Sequence, residues 1–184
     1  MNLIQRNHQK LLILDVDGVL NNDVLLSLPV DQRTSFLCSE QDFLAAIENH
    51  PLKKRLEWRL KCDFHQINKS SIELLNELFE LEPFDILLSS TWRTTMELEI
   101  FDAFMKAIGL KAATIAFTDD FNNRDLEIKT WLKENGVVNS FAIVDDDTSI
   151  FQGEIISRVV KTTFALGLCR EHLKEILKRF RNEN

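Results

Sequence analysis

The chain has 184 residues, 45% of them hydrophobic and 28% charged, enough for one domain with a sizeable core and an insertion. Its 22 Lys and Arg against 29 Asp and Glu give a net charge of −7. That excludes a general electrostatic pull toward nucleic acid, though not a local basic patch, and it suits a site that gathers carboxylates around a cation.

Residues 1–9 read as a polar lead-in, and the apolar stretch after Arg6 and Lys10 is broken by Asp15 and Asp17, which makes a poor secretion signal. No apolar run is long enough to span a bilayer. Cys38, Cys62 and Cys169 lack metal-ligand spacing and read as reduced thiols. Together these predict a cytoplasmic protein with no membrane partner.

The first strand is expected over about 10–15. Leu11-Leu12-Ile13-Leu14 is an unbroken apolar run, the mark of a strand buried on both faces. It ends in Asp15-Val16-Asp17-Gly18. Two acids so close together are costly unless a cation or a proton is shared between them, and a hard divalent metal is the economical explanation. A solvated turn is the bland alternative for an isolated D-x-D-G.

Residues 21–38 read as irregular, with Asn21-Asn22-Asp23 as a turn and Pro29 as a breaker. Ser39 is a candidate N-cap for a helix carrying Phe43, Leu44 and Ile47. Pro51 suits the first turn of a further helix with Leu52, Leu56 and Leu60 on one stripe. That helix also carries Lys53, Lys54, Arg55, Arg59 and Lys61, which read as a solvated basic face or, more sharply, as a substrate-facing lid. Ser70 or Ser71 would cap the next helix, with Ile72, Leu75, Leu78 and Phe79 on one face.

A second buried strand, 84–88, runs into Ser89-Ser90-Thr91-Trp92-Arg93. Thr94 or Thr95 would open an amphipathic helix with Leu98, Phe101, Phe104, Met105 and Ile108, ended by Gly109. A short strand over 113–117 precedes a polar loop, 118–123, and a helix over 124–135 with Leu126, Ile128, Trp131 and Leu132 inward. The strand 141–144 then ends in Asp145-Asp146-Asp147. A further strand is expected within 158–164 and a last helix over about 170–181.

Strands alternating with helices predict an α/β fold, a three-layer Rossmann-like parallel sheet with helices on both faces. Right-handed crossovers bring all the strands' carboxyl ends to one edge. Asp15, Asp17, Ser90, Asp145 and Asp146 each follow an apolar strand and would meet there.

This order of motifs resembles the haloacid dehalogenase (HAD) superfamily of aspartate-nucleophile phosphohydrolases. The resemblance rests on strand-D-x-D-G at 11–18, a strand ending in Ser90, a cation on the helix before the last motif, and a strand ending in Asp145-Asp146. It covers the chain outside a helical insertion, or cap, over 23–68 within a single core domain. Ser90-Thr91-Trp92-Arg93, Arg124 with Glu127-Ile128 and Trp131-Leu132, Val144 to Asp147, Lys161-Thr162 and Gly167-Leu168 resemble more closely the HAD domain of RNA-repair-associated (Swiss Army Knife) proteins. Where that subgroup carries Thr before the last helix this chain has Cys169, so a looser helix start is expected.

The resemblance implies that Asp15 is the nucleophile, that Asp17 is the general acid and base and gives its carbonyl to the metal, and that Ser90 holds phosphoryl oxygens. Arg124 or Lys129 would supply the balancing cation, with Arg124 favoured because it opens the helix at the loop. Asp15, Asp17, Asp145 and Asp146 would make up the Mg²⁺ site. The implied activity is hydrolysis of a phosphomonoester, either a small metabolite or nucleotide or a nucleic-acid end. The alternative is a catalytically weak HAD-fold binding or regulatory module.

Overall fold

The computed structural model describes residues 10–136 and 140–182, so the lead-in expected over residues 1–9 lies outside the described residues. Five strands form one sheet in the order β3-β2-β1-β4-β5, every pair parallel. They are β1 (Lys10–Leu14), β2 (Phe84–Leu88), β3 (Thr114–Phe117), β4 (Phe141–Asp145) and β5 (Val159–Lys161). The helices are α1 (Asp23–Ser27), α2 (Glu40–Ile47), α3 (Lys53–Cys62), α4 (Lys69–Leu81), α5 (Leu98–Ala107), α6 (Arg124–Glu134) and α7 (Arg170–Arg181). No helix among the described residues is long and apolar enough to cross a membrane.

The unbroken apolar runs of β1 and β4 are explained by burial on both faces. Leu12 and Leu14 of β1 face one apolar cluster, with Ile72, Leu75 and Leu78 of α4, Phe101 and Phe104 of α5, and Leu173 and Ile176 of α7. Leu11 and Ile13 face a second cluster, with Ile128 and Leu132 of α6, Phe151 and Ile155. The sheet is the middle of three layers, as the alternation of elements requires.

Residues 23–68, expected as an insertion, are built into the first cluster. Phe43 and Ile47 of α2, Leu56 and Leu60 of α3, and Phe64 and Ile67 are buried in it alongside the strand residues. Phe43 meets Phe64 and Phe104 edge to face, each pair with centroids 5.7 Å apart. Arg33 ties the irregular part of 23–68 together. Its guanidinium donates to the carbonyls of Leu26 and Leu28 at 2.9 Å and of His65 at 3.0 Å.

Several element starts differ from expectation, each for a side-chain reason. Residues 23–27 are helical, because the Asn22 side chain accepts the N–H of Leu25 and caps a short turn. Asn68 caps α4, not Ser70 or Ser71; its Oδ1 takes the N–H of Ser70 at 2.9 Å, and the Ser71 hydroxyl turns inward to the Val19 carbonyl. α5 starts at Leu98, after a 3₁₀ turn over Thr91–Thr94 that Ser90 caps. Leu126 is half exposed on α6, and Glu127 takes the inward place expected for it. At Cys169 the His172 ring accepts the Cys169 N–H at 3.1 Å, so α7 has a side-chain partner at its start after all.

Arg33→Ala strips three main-chain carbonyls of a charged donor. It should lower stability by about 1–3 kcal/mol in urea unfolding, with faster amide exchange concentrated in 23–36. Exchange that is unchanged there would remove Arg33 from this role.

Candidate active site

The register of the central strands builds the site. Leu14 of β1 pairs with Val144 of β4, so Asp15 and Asp145 leave the same sheet edge side by side. Both are almost fully buried. Asp15 accepts the Val16 N–H at 2.8 Å, and Asp145 accepts the Asp147 N–H at 2.9 Å. Carboxylate oxygens of Asp15, Asp145 and half-buried Asp146 lie within 4.8 Å of one another.

Gly18 completes this corner. Its φ of +69° suits glycine, and a Cβ there would fall 2.5 Å from the Asp146 side-chain carbon. The close approach of backbone to carboxylate is what the glycine of D-x-D-G permits. The loop is held from several sides. The Asn21 side chain accepts the Gly18 N–H at 2.9 Å and donates to Asp17 at 2.8 Å, and the buried Thr162 hydroxyl donates to the Gly18 carbonyl at 2.8 Å.

Arg124 stands at the first residue of α6 and reaches back over the sheet edge. One nitrogen, Nη1, donates to Asp15 at 3.0 Å and to Asp145 at 2.6 Å. Asn123 caps the helix on the Leu126 N–H, and the preceding loop turns at Asn122, whose φ is +57°. Lys129 is elsewhere: it is exposed, beside Asp125 and the Gln152 carbonyl. Ser90, fully buried at the end of β2, accepts the Trp92 N–H at 3.4 Å and helps hold the Asp15 carboxyl down.

Asp15, Ser90, Arg124, Asp145 and Asp146 are thus brought together. The Asp17 carboxylate is turned to Asn21 and is not one of the three clustered carboxylates. Asn21, Thr162 and the pair Arg93 and Glu127 also belong to the site's frame; the sequence marks Asn21 as a turn residue and the other three as part of the subgroup resemblance, but gives none of them a place in the site. Glu127 was hidden in an apolar stretch between Leu126 and Ile128. Its carboxylate accepts from Arg93 at 2.8 Å, from the Phe121 N–H at 2.9 Å and from the Asn123 N–H at 3.2 Å.

The electrostatics follow from burial. Loss of hydration pushes the Asp145 carboxyl up to about 6; Arg124 opposes this and Asp15 adds to it. Burial raises Asp15 as well, against Arg124, the Val16 N–H and Ser90. For Arg124, burial favours loss of charge, but the two carboxylates outweigh it and hold the guanidinium protonated. The donor set fits Mg²⁺, a hard cation with oxygen ligands at about 2.1 Å, so that opposite ligands lie about 4.2 Å apart. Asp15, Asp145 and Asp146 offer oxygens that all lie within 4.8 Å of one another, close enough to share one such ion.

With no metal bound, the folded chain keeps a proton on Asp145 up to about pH 6, against an ordinary value of 3.8. Between these values the folded state binds more protons than the unfolded state, so this group's contribution to stability falls as pH rises and stays low above the window. In chelator, Asp145→Asn should therefore melt higher than wild type at pH 7.5, and the advantage should shrink as pH falls from 6 to 4. An advantage independent of pH in thermal unfolding would contradict the raised carboxyl.

No curated protein and no solved structure matches the chain. The family model described as "HAD domain in Swiss Army Knife RNA repair proteins" matches residues 11–173, from β1 into α7. With clustered acids at the carboxyl edge of a parallel sheet and a match over most of its length, the chain belongs to the HAD domains of the Swiss Army Knife RNA repair type, a family of hydrolase or phosphatase type.

Proposed function

We propose that the chain is a Mg²⁺-dependent phosphohydrolase that works through an aspartyl-phosphate on Asp15. The observation that carries this is Arg124 seated on both Asp15 and Asp145, with Asp146 beside them. One nucleophile-bearing strand, one cation and a carboxylate cluster share a single edge.

Asp15, Asp145 and Asp146 would hold Mg²⁺, with the Asp17 main-chain carbonyl as a further ligand. When bound, the ion neutralises charge on the transferring phosphoryl group. An Asp15 oxygen attacks phosphorus, and the bond from phosphorus to the leaving oxygen breaks. Asp17, acting as an acid, gives that oxygen its proton. Its carboxylate is oriented by Asn21 through one oxygen, which leaves the other for proton transfer. Asp17 then takes a proton from water as that water attacks phosphorus, which frees Asp15 and releases phosphate. Arg124 and the Ser90 hydroxyl stabilise the phosphoryl oxygens through both steps.

The substrate is a phosphomonoester, and the RNA repair context of the family brings a nucleic-acid end into that class. The basic helix α3 gives this narrower reading little support. Arg55 is paired with Glu97 at 2.8 Å, Arg59 with Asp63 at 3.0 Å and with the Thr95 carbonyl. Those arginines fasten α3 to the segment after β2, and Lys54 and Lys61 remain at the surface.

Wild type should hydrolyse a generic aryl phosphate with Mg²⁺ and lose the activity in chelator. Asp15→Asn should fall to background, and Asp17→Asn should lose about 100-fold or more in kcat. Equal rates for Asp15→Asn and wild type would refute the nucleophile. A stable phosphoprotein without turnover would favour a regulatory module.

A further inference from the structure

We infer that the buried pair Arg93 and Glu127 is a positioning device that sets Arg124 over the acids and couples it to the end of β2; this rests on the phosphohydrolase reading above. Glu127 is 2% exposed, and the Arg93 side chain is 8% exposed. An ion pair so deep is costly to desolvate and often contributes little net stability against an apolar replacement, so stability alone gives it little reason to be here. What its atoms bind is more informative.

Arg93 Nη2 donates to Glu127 Oε2 at 2.8 Å, while Nη1 donates to the main-chain carbonyl of Ser90 at 2.8 Å. The other Glu127 oxygen, Oε1, accepts the N–H groups of Phe121 and Asn123. Asn123 is the N-cap of α6, and Arg124 is the next residue. A single rigid fork therefore joins Ser90, at the end of β2, to the loop that aims the cation. Asp120 Oδ1 adds a weaker contact to Arg93 at 3.5 Å from the exposed side.

The loop 118–123 has no proline to stiffen it, and its turn passes through the left-handed conformation at Asn122. Two of its N–H groups have Glu127 Oε1 as partner. With that acceptor weakened, the start of α6 is free to shift, and Arg124 shifts with it. Arg124 lies at the helix terminus, so a movement of the first turn reaches its guanidinium undamped. Misplacement by about 1 Å can cost about 100-fold in rate. Arg93 and Glu127 touch neither Asp15 nor Asp145 in any hydrogen bond, so their effect has to pass through Arg124 and the Ser90 main chain.

The test is a double-mutant cycle with a spectroscopic arm. Glu127→Gln should lower kcat/KM for Mg²⁺-dependent aryl phosphate hydrolysis by about 100-fold alone, and by less than about threefold when added to Arg124→Ala. In the metal-free protein, the Arg124 Nε–H resonance should be sharp in wild type and broadened in Glu127→Gln. Equal losses in both backgrounds, or an unchanged Arg124 resonance, would overturn the inference and leave the pair a part of the fold alone. Should wild type show no Mg²⁺-dependent hydrolysis, the phosphohydrolase reading fails and the resonance alone decides the coupling. If Glu127→Gln does not fold, Arg93→Met with Glu127→Gln removes both charges together and enters the same two measurements.

Discussion

Two buried carboxylates side by side at the ends of adjacent parallel strands are the constraint on which this structure turns. The pairing of Leu14 with Val144 allows no other outcome for Asp15 and Asp145. At an effective dielectric of about 20, two unit charges about 4 Å apart repel by about 4 kcal/mol. The fold meets that repulsion with one guanidinium nitrogen shared between both acids and with a proton retained on Asp145 to higher pH than usual. A metal ion would meet it more completely, because it brings two charges to the same place. Under the reading proposed above, the repulsion that Arg124 leaves uncompensated is what would favour a bound metal ion there.

The rest of the chain keeps this corner from relaxing. The D-x-D-G loop could spread its acids apart if it were mobile, but its main chain is occupied on all sides. Leu168 N–H and the Ser71 hydroxyl take the Val19 carbonyl, Asn68 N–H takes that of Leu20, and Thr162 takes that of Gly18. These partners come from α4's start, the end of β5 and the segment before α7. The residues 23–68 that separate β1 from α4 join the same apolar cluster as the sheet. This segment thus returns the chain so that Asn68 and Ser71 can close on the loop from which it departed.

Much of this was legible in the sequence. The apolar runs located β1, β2 and β4 to within a residue, since strands buried on both faces leave a continuous signal, and the acids and serine at their ends followed directly. Helix starts were less legible. At Asn68, Ser70 and Ser71 three good capping residues stand within four positions, and composition cannot choose among them; the choice falls to Asn68 because Ser71 is needed at the Val19 carbonyl. His172 offered no motif, yet its ring takes over the N–H at the Cys169 helix start. The inward glutamate was missed for a different reason: hydrophobic periodicity assigns the inside to apolar residues, and Glu127 is inside because its partners are a buried arginine and two main-chain N–H groups.

The polar residues of α6 carry the information that its apolar stripe lacks. A helix turns about 100° per residue, so Glu127, three positions after Arg124, lies about 60° from it on the cylinder. Lys129, five positions on, lies about 140° away and about 7.5 Å further along the axis. Only one of the two cations can therefore face the sheet edge, and whichever does so brings its own neighbours. Arg124 comes with Glu127 on its side of the helix, in reach of Arg93, whereas Lys129 comes with Asp125 and an exposed carbonyl. The buried glutamate thus distinguishes the two cations by rotation alone: a helix turned to present Lys129 to Asp15 would expose Glu127 and leave Arg93 buried without its counter-charge.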